Sequence, residues 1–294
     1  MRVLDLFAGL CGWSQPFADR GHEVYSIDLD ERFAVSSHAD ILTLRPDDLP
    51  WVPDIILASP PCESFSVLTI GRNWAPGRVP KTDAARLAIR LVEATRRLID
   101  DLGSPYFVIE NPRAMLRTLP PLADVERRTV TYCRYGLPFR KPTDLWGGFP
   151  PSLVLEPVCA TTRGRLETDD RGLTWTVTPD GQRCHLSAPR GSRTGIQGEA
   201  VRTGNHPDKL MKAVQLSGLY NVEYQKAHRK ATDEAWLHAR ATASAEVYGT
   251  WDKPTTAALR AKVPYALGLA VCLAAEADLT VGARPIPTML WGAA

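Results

Sequence analysis

The sequence lacks the features that mark several special classes of protein. Its 35 basic and 33 acidic residues leave a net charge of only +2, so it does not have the strongly basic composition of many nucleic-acid-binding proteins. Any surface of that kind must be local. Its six cysteines are scattered over 294 residues rather than gathered into the dense framework of a small secreted domain, which predicts a reducing cytosol.

The sequence also lacks a charged leader followed by an apolar core, and it has no apolar span long enough to cross a bilayer. Neither secretion nor membrane insertion is therefore expected. Internal repeats and low-complexity tracts are absent as well. What is present is an ordinary globular composition, with 44% hydrophobic and 23% charged residues, which alone suggests no function. The length is sufficient for one large α/β domain with an accessory region.

Strand-like and helix-like segments alternate in the first half of the chain. The strand-like runs are RVLDLFAG, EVYSIDLD, DIILASPP and SPYFVIENP. A helix is predicted around residues 15–21, and residues 82–102 place leucines on one helical face. This alternation predicts a Rossmann-like parallel sheet with crossover helices. The proline- and glycine-rich segment LPFRKPTDLWGGFPP argues against a regular helix or a central strand, and the sheet is predicted to end near Pro150.

The second half has a different texture. Residues 158–262 are first rich in Arg, Gly and Thr and then charged and helical in pattern, at 208–220 and 222–247, which predicts an irregular, partly helical recognition region. Residues 263–277, VPYALGLAVCLAAEA, predict an apolar helix that is buried on all sides and packs back onto the sheet. The predicted organisation is a domain at 1–157, a recognition region at 158–262, a returning helix at 263–280 and a tail at 281–294.

A glycine turn follows the first strand, in the segment DLFAGLCG at residues 5–12. Glycines at such a strand-to-helix turn let backbone N–H groups approach a ligand closely. The second strand ends at Asp28, where a carboxylate could accept hydrogen bonds from ribose hydroxyls. Together these features favour a nucleotide-like ligand. The alternative is that Asp5 and Asp28 only cap helices.

The third and fourth strands are followed by residues that carry chemistry. Cys62 comes after a stiff Pro-Pro pair in ASPPCESFS, and Glu110-Asn111 closes the apolar run of VIENP. A lone cysteine is usually a buried apolar residue, but a preorganised loop cysteine suits nucleophilic attack. Since the carboxyl ends of parallel strands share one sheet edge, Cys62 and Glu110 are expected to lie together.

In this order and spacing, DLFAGLCGWSQPF, ASPPCESFS and VIENP resemble the cofactor, nucleophile and glutamate motifs of DNA cytosine-C5 methyltransferases. The resemblance covers about the first 145 residues and returns near Val263. It implies a Rossmann-like S-adenosylmethionine-dependent methyltransferase sheet in which Cys62 attacks C6 of a flipped cytosine, Glu110 binds its N3 and Asn111 holds the loop. The form KPTDLW is similar to compact phage and prophage enzymes, which implies a cytoplasmic protein of a bacterial or phage-infected cell, in a setting such as restriction-modification.

The same resemblance implies the ligand contacts. For the S-adenosylmethionine cofactor, the matching residues are Asp5, Phe7, Ala8, Gly9, Gly12, Asp28, Leu29, Asp40, Ile41 and Pro61. The partner is double-stranded DNA, and the protein is expected to be a monomer with no obligate protein partner. The predicted DNA contacts are Ser64, Ser66, Lys141, Arg163, Arg165, Arg190 and Arg193.

The sequence departs from the family in one motif. The family has a Gln-x-Arg-x-Arg element whose arginine contacts the target base, whereas this chain has TYCRYGLPFRKPTDLW. Arg140 is predicted as its counterpart and as a catalytic residue, with Lys141 and Arg134 as alternatives. Cys159, Cys184 and His185, with Cys133 or His206, could furnish a zinc site. No Cys-x-x-Cys pair supports it, and no metal is predicted.

Three other functions stay open. An amino-methyltransferase acting on N4 of cytosine or N6 of adenine is suggested by Ser59-Pro60-Pro61, which resembles the start of its SPP-aromatic motif, although Cys62 stands where the aromatic residue belongs. A catalytically idle DNA-binding or regulatory relative would keep the fold without turnover. An RNA substrate is the third alternative, because the same covalent chemistry works on cytosine in either polymer.

Overall fold

The computed structural model describes residues 1–67, 69–137, 140–159, 165–168, 174–177, 183–186 and 262–280. These residues belong to two compact units. The first takes in Met1–Gly136, Lys141–Val158 and the described part of Ala243–Ala294, and the second takes in Leu137–Arg140 and the described part of Cys159–Thr242.

The first unit is built on a seven-stranded sheet. Its strands, in chain order, are β1 (Arg2–Leu6), β2 (Glu23–Asp28), β3 (Ser37–His38), β4 (Ile55–Ala58), β7 (Tyr106–Pro112), β8 (Arg127–Thr131) and β9 (Pro142–Gly148). Between β4 and β7 in the chain, β5 (Trp74–Ala75) and β6 (Val79–Pro80) form a small separate hairpin. The sheet has the order β3-β2-β1-β4-β7-β9-β8. The first five of these are mutually parallel, whereas β9 is antiparallel to both β7 and β8.

This topology confirms the predicted α/β class with a mostly parallel sheet. The central strands are apolar and buried on both faces, as expected of a parallel sheet covered by helices. The two-residue strand β3 was not predicted, because a segment this short carries no hydrophobic periodicity. The carboxyl ends of β1, β2, β4 and β7 lie along one edge of the sheet.

Three helices lie in the connections between the parallel strands. Helix α1 (Gln15–Asp19) joins β1 to β2, and α2 (Ile70–Asn73) is a single turn before β5. Helix α3 (Asp83–Leu102) confirms the prediction made for residues 82–102. It begins where Thr82 Oγ1 accepts a hydrogen bond from Ala85 N at 3.2 Å, and it ends at Gly103, whose φ of 60° is left-handed.

The prediction that LPFRKPTDLWGGFPP holds no central strand is wrong, because β9 lies between β7 and β8. Proline is tolerated here because Pro142 is the first residue of the strand. Gly147 is required for a different reason: a Cβ atom there would overlap the carbonyl oxygen of Phe107 on β7. The glycine content that predicts a turn therefore also allows the backbones of β7 and β9 to approach closely.

The C-terminal helix α4 (Tyr265–Thr280) begins just after Pro264 and contacts α1. The prediction that it is buried on all sides is wrong. Its buried side chains lie on one face, with Leu267, Val271 and Cys272 fully buried, whereas Tyr265 and Leu273 are 45% and 44% exposed. Among the described residues, no helix combines the length and apolar character needed to span a membrane.

Glycine lets the segment before α4 approach the first turn. A Cβ atom on Gly12 would lie 2.7 Å from both N and O of Val263. We therefore expect Gly12→Ala to destabilise the protein by about 1–3 kcal/mol through overpacking. The free energy of unfolding in urea tests this, with Gly71→Ala as the matched control, since a Cβ atom on Gly71 meets nothing within 4 Å. Equal stability of the two variants would contradict the prediction.

Of the second unit, the structure describes a three-stranded antiparallel sheet in the order β10 (Arg165–Thr168), β11 (Thr174–Val177) and β12 (Arg183–Leu186). Trp175 on β11 is half-buried, and Thr176 and Val177 are buried. The helices predicted at 208–220 and 222–247 lie outside the described residues.

Candidate active site

The turn after β1 is held by the end of β2. Gly9 N donates to Asp28 Oδ2 at 2.9 Å, and Ala8 N donates to the carbonyl oxygen of Ile27 at 3.0 Å. Phe7 and Cys11 have positive φ values, 57° and 50°, which are uncommon for residues other than glycine and often mark functional sites. The turn is therefore fixed in a conformation that presents backbone groups at the sheet edge.

A pocket opens beside this turn. Its lining residues are Asp5, Phe7, Ala8, Gly9, Leu10, Gly12, Trp13, Phe33, Ser59, Lys262 and Val263. Five of them, Asp5, Phe7, Ala8, Gly9 and Gly12, were among the residues predicted to bind the cofactor. The others that were predicted do not line it: Asp28 is bonded to the turn, Leu29 is 65% exposed, Asp40 accepts from Leu42 N, Ile41 is buried in the core and Pro61 is exposed.

Sequence reasoning missed several lining residues. Trp13 Nε1 donates to Ser59 Oγ at 3.1 Å, which connects the first turn to the start of the Cys62 loop. Phe33 lies 3.9 Å from the position a Gly9 Cβ atom would take. Trp13 follows directly on the glycine turn and could have been found by its proximity, whereas Phe33 and Lys262 are brought in by tertiary contacts alone.

Asp5 is a fully buried acid in this pocket. Ser14 Oγ donates to its Oδ2 at 2.5 Å. Burial is the largest cause that raises the pKa of Asp5 to about 7, and the charge of Asp28 adds to it, while the Ser14 hydrogen bond acts in the opposite direction. Asp5 therefore changes its charge near neutral pH.

Hydrogen bonds from backbone and side-chain groups hold the loop that carries Cys62. Phe65 N and Ser66 N both donate to the carbonyl oxygen of Cys62 at 3.0 Å, and Trp74 Nε1 donates to the carbonyl oxygen of Ser64 at 2.8 Å. Ser64 was predicted as a DNA contact, but the structure buries it, so its side chain is not presented to a ligand. Ser66 is half-buried. The sulfur of Cys62 is thus carried by an ordered loop.

Glu110 and Asn111 lie at the end of β7 and are buried, with 4% and 0% exposure. Asn111 Nδ2 donates to the carbonyl oxygen of Pro60 at 2.9 Å, so the end of β7 holds the loop that precedes Cys62. Within the described part of the chain, Asn111 Oδ1 is buried without a hydrogen-bond partner. Tyr132 Oη donates to Glu110 Oε1 at 2.9 Å, and Lys141 Nζ lies 3.7 Å from the same oxygen.

The electrostatics place Cys62 in the same site as these groups. The pKa of the Cys62 thiol is raised to about 11, chiefly by burial and next by the negative charge of Glu110, while the charge of Lys141 acts to lower it. Cys62 and Glu110, which come from different strands, therefore influence one another directly.

The three cations considered for base contact have different surroundings. Arg140 donates to the carbonyl oxygen of Cys159 at 3.1 Å and, like Cys159, belongs to the second unit. Arg134 pairs with Glu156 at 3.1 Å. Lys141 is the one of the three that lies at Glu110.

Of the predicted DNA-binding arginines, only Arg165 is described. Its side chain is exposed and pairs with Glu167. Arg163, Arg190 and Arg193 lie outside the described residues, as do the side chains of Cys184 and His185.

In the described part of the chain, one group could hold a metal ion by proximity, formed by His22, Cys272 and Glu276. There, Glu276 is already engaged by Arg20 and by His22, each at 2.7 Å. This group ties the start of β2 to α4, far along the chain from Cys62.

A family model and a viral relative both match this chain and both carry the description of a cytosine-5 DNA methylase. Residues 1–119 match the family model described as C-5 cytosine-specific DNA methylase. A protein of frog virus 3 (isolate Goorha), named probable DNA (cytosine-5)-methyltransferase, is 30% identical over 168 residues, which make up 51% of this chain and 73% of the viral protein.

Solved structures of methyltransferases are also similar. Dnmt2 methyltransferase of S. pombe has a TM-score of 0.45 at 13% identity, covering 94% of this chain and 99% of that one. A crystal structure assigned as a DNA modification methyltransferase encoded within an E. coli prophage has a TM-score of 0.37 at 19% identity and covers 50% of this chain. The match spans 46% of that prophage-encoded chain, which is less than half its length.

Proposed function

Because the chain belongs to the C-5 cytosine-specific DNA methylase family and is an enzyme of the DNA (cytosine-5)-methyltransferase class, we propose that it methylates C5 of a cytosine flipped out of double-stranded DNA, through a covalent bond to Cys62. The observation that supports this most is the hydrogen bond of 2.9 Å from Asn111 Nδ2 to the carbonyl oxygen of Pro60, which joins the strand end that carries Glu110 to the loop that carries Cys62. A nucleophile and an acidic partner in one site suit covalent attack on a pyrimidine.

The first turn suits the cofactor proposed, S-adenosylmethionine. When bound, this cofactor supplies an electrophilic methyl group. Phe7, Ala8 and Gly9 bring backbone groups to the pocket, where a Cβ atom on Gly9 would meet nothing closer than 3.9 Å. The carboxyl groups of Asp5 and Asp28 suit a ligand that carries positive charge and ribose hydroxyls. We propose Asp40 and Ile41 beside the adenine, Leu29 as a further cofactor contact, and Pro61 at the methyl end.

Cys62 begins the reaction as a thiolate. Its sulfur forms a bond to C6 of the cytosine, the C5–C6 π electrons move onto the ring, and C5 becomes nucleophilic enough to take the methyl group. A base then removes the C5 proton, the double bond re-forms and Cys62 leaves as a thiolate. The carboxyl group of Glu110 donates its proton in a hydrogen bond to N3 and so stabilises the charge that develops on the ring, and Asn111 holds the Cys62 loop beside Glu110.

Recognition of the DNA is assigned to the remainder of the chain. We propose residues 158–262 as the target-recognition region, with Arg163, Arg165, Arg190 and Arg193 as contacts to phosphates or base edges. Arg140 remains the proposed counterpart of the family's base-contacting arginine. Ser66, on the Cys62 loop, and Lys141, beside Glu110, are the proposed DNA contacts on the catalytic side.

The pH dependence of cofactor affinity tests the pocket. Because the pKa of Asp5 is raised to about 7, this acid is neutral below that pH and ionised above it. A cationic ligand favours the ionised form, so S-adenosylmethionine affinity is expected to rise about ten-fold as the pH increases from 6 to 8. Isothermal titration calorimetry measures this, with Asp5→Asn as the control. A rise of the same size in Asp5→Asn would contradict the assignment.

Product analysis tests the reaction itself. Duplex DNA is incubated with enzyme and isotopically labelled S-adenosylmethionine, then digested to nucleosides that are separated by mass spectrometry. We expect 5-methylcytosine to carry the label. Label in N4-methylcytosine or N6-methyladenine would show an amino-methyltransferase, and cofactor binding with no labelled product would show an idle relative. In a parallel incubation with RNA, label incorporated into RNA but not into DNA would contradict the proposal that DNA is the substrate.

A further inference from the structure

Two side chains converge on one oxygen of Glu110. Tyr132 Oη donates to Oε1 at 2.9 Å, and Lys141 Nζ lies 3.7 Å from the same atom. Both contacts are made in a largely closed site, since Tyr132 is fully buried and the Lys141 side chain is 19% exposed. One hydrogen bond from Tyr132 and one ion pair with Lys141 therefore hold the same carboxyl oxygen of Glu110.

The fold also ties Tyr132 and Lys141 to each other. They follow and precede the last paired residues of β8 and β9, Thr131 and Pro142, and Tyr132 N donates to the carbonyl oxygen of Lys141 at 3.2 Å. Lys141 Nζ lies 4.4 Å from the centre of the Tyr132 ring, a cation–π distance. Thr143 Oγ1 also donates to the Lys141 carbonyl oxygen, at 3.3 Å.

This arrangement addresses a difficulty in the proposed reaction. Cys62 is half-buried beside the negative charge of Glu110, and two negative charges are unfavourable in such a site. A positive charge close to both groups favours the thiolate. Lys141 Nζ lies 3.7 Å from Glu110 Oε1, and the charge of Lys141 acts to lower the pKa of the Cys62 thiol.

We propose that Lys141 and Tyr132 are positioning residues, which together hold Glu110 Oε1 while the ammonium group of Lys141 stabilises the Cys62 thiolate. The inference rests on the proposed function in that it explains how its nucleophile is prepared. It gives Lys141 a role on the protein's own catalytic groups, in a chain whose TYCRYGLPFRK segment departs from the arginine motif of its family. Burial and the charge of Glu110 raise the pKa of Tyr132, so its hydroxyl group remains a donor.

Alkylation of Cys62 by iodoacetamide measures the thiolate without DNA or cofactor. The thiolate displaces iodide and forms a carbon–sulfur bond, so below the thiol pKa the rate is proportional to the thiolate fraction. The rate is followed at pH 8 on the intact enzyme, by mass spectrometry of the peptide that contains Cys62. We expect Lys141→Met to slow alkylation about ten-fold, because the loss of a nearby opposite charge raises the pKa of a thiol by about one unit or more.

Three controls make the result specific. Lys141→Arg keeps the charge and should keep the wild-type rate within about two-fold, and Lys81→Met removes an exposed lysine and should change nothing. Glu110→Gln should act in the opposite direction and speed alkylation about ten-fold. A loosened fold would expose Cys62 and speed the reaction, so slower alkylation in Lys141→Met cannot come from unfolding.

The hydroxyl group of Tyr132 has its own readout. Tyr132→Phe removes one donor to Glu110 and should lower kcat for methyl transfer about ten-fold with the KM for DNA unchanged. Alkylation of Lys141→Met at the wild-type rate would overturn the role of Lys141, and an unchanged kcat in Tyr132→Phe would overturn that of Tyr132. Because alkylation needs no substrate, it can succeed while the product analysis fails, which separates this inference from the proposed function.

Discussion

Cys62→Ser is expected to abolish methyl transfer, with a loss of about 10⁴-fold or more in kcat. The serine hydroxyl group has nearly the same shape as the thiol, so the loop contacts made by Phe65, Ser66 and Asn111 should be kept. A hydroxyl group is a far weaker nucleophile at neutral pH, since it has no base to activate it in the role proposed here. Transfer of a labelled methyl group to DNA measures the loss.

Binding must be measured beside activity. The proposed cofactor pocket lies at the turn after β1, and Cys62 is not among its lining residues, so calorimetric affinity for S-adenosylmethionine should be unchanged in Cys62→Ser. Cys272→Ser is the matched control, because Cys272 is a buried thiol on α4 that lies outside the site. Activity of Cys62→Ser within ten-fold of wild type would remove Cys62 from the mechanism.

Glu110→Gln should give the second largest effect, a fall in kcat of about 10²–10³-fold. The amide side chain keeps the size of the carboxyl group and can still accept the hydrogen bond from Tyr132. It cannot provide the acidic partner that the ring nitrogen needs as negative charge develops. Because that interaction strengthens mainly in the transition state, the affinity for DNA should change little.

Single-turnover kinetics and DNA binding by fluorescence anisotropy separate these two effects. Asp83→Asn is a suitable control, since Asp83 is an exposed acid on α3 that pairs with Arg86 on the same helix. If Glu110→Gln weakened DNA binding as strongly as it slowed turnover, Glu110 would contribute to DNA binding rather than to stabilisation of the transition state.

Much of the fold follows from local pattern. The central strands β1, β4 and β7 consist mostly of buried apolar residues, and α3 has both its amphipathic face and its Thr82 cap in the sequence. Strand β9 could not be predicted in the same way. Its Pro142 and Gly147 suggest a turn, and the reason for glycine there is the carbonyl group of Phe107, which belongs to another strand.

The candidate site likewise has one part that the sequence predicts and one part that depends on tertiary pairing. Asp28, Cys62 and Glu110 each follow an apolar strand, and the parallel topology places such residues on one edge. The contacts of Tyr132 and Lys141 with Glu110 depend instead on the pairing of Thr131 with Pro142 between β8 and β9. A shift of that register by one residue would turn these side chains away from Glu110, and nothing local in TYCRYGLPFRK specifies it.

The exposed part of α4 shows a further limit of composition. Residues 263–277 are almost uniformly apolar, yet Tyr265 and Leu273 lie on its exposed side. Hydrophobicity predicts that a helix has a buried face, but the number of neighbours available decides how much of its circumference is covered.

Trapping on DNA that contains 5-fluorocytosine tests the central claim most directly. Fluorine at C5 cannot be removed as a proton, so a covalent intermediate formed by wild-type enzyme in the presence of S-adenosylmethionine should persist through denaturing electrophoresis. Digestion and mass spectrometry should then find the nucleotide on the peptide that contains Cys62. Methyl transfer to C5 of ordinary cytosine without any trapped complex, or with the nucleotide on another residue, would contradict the account.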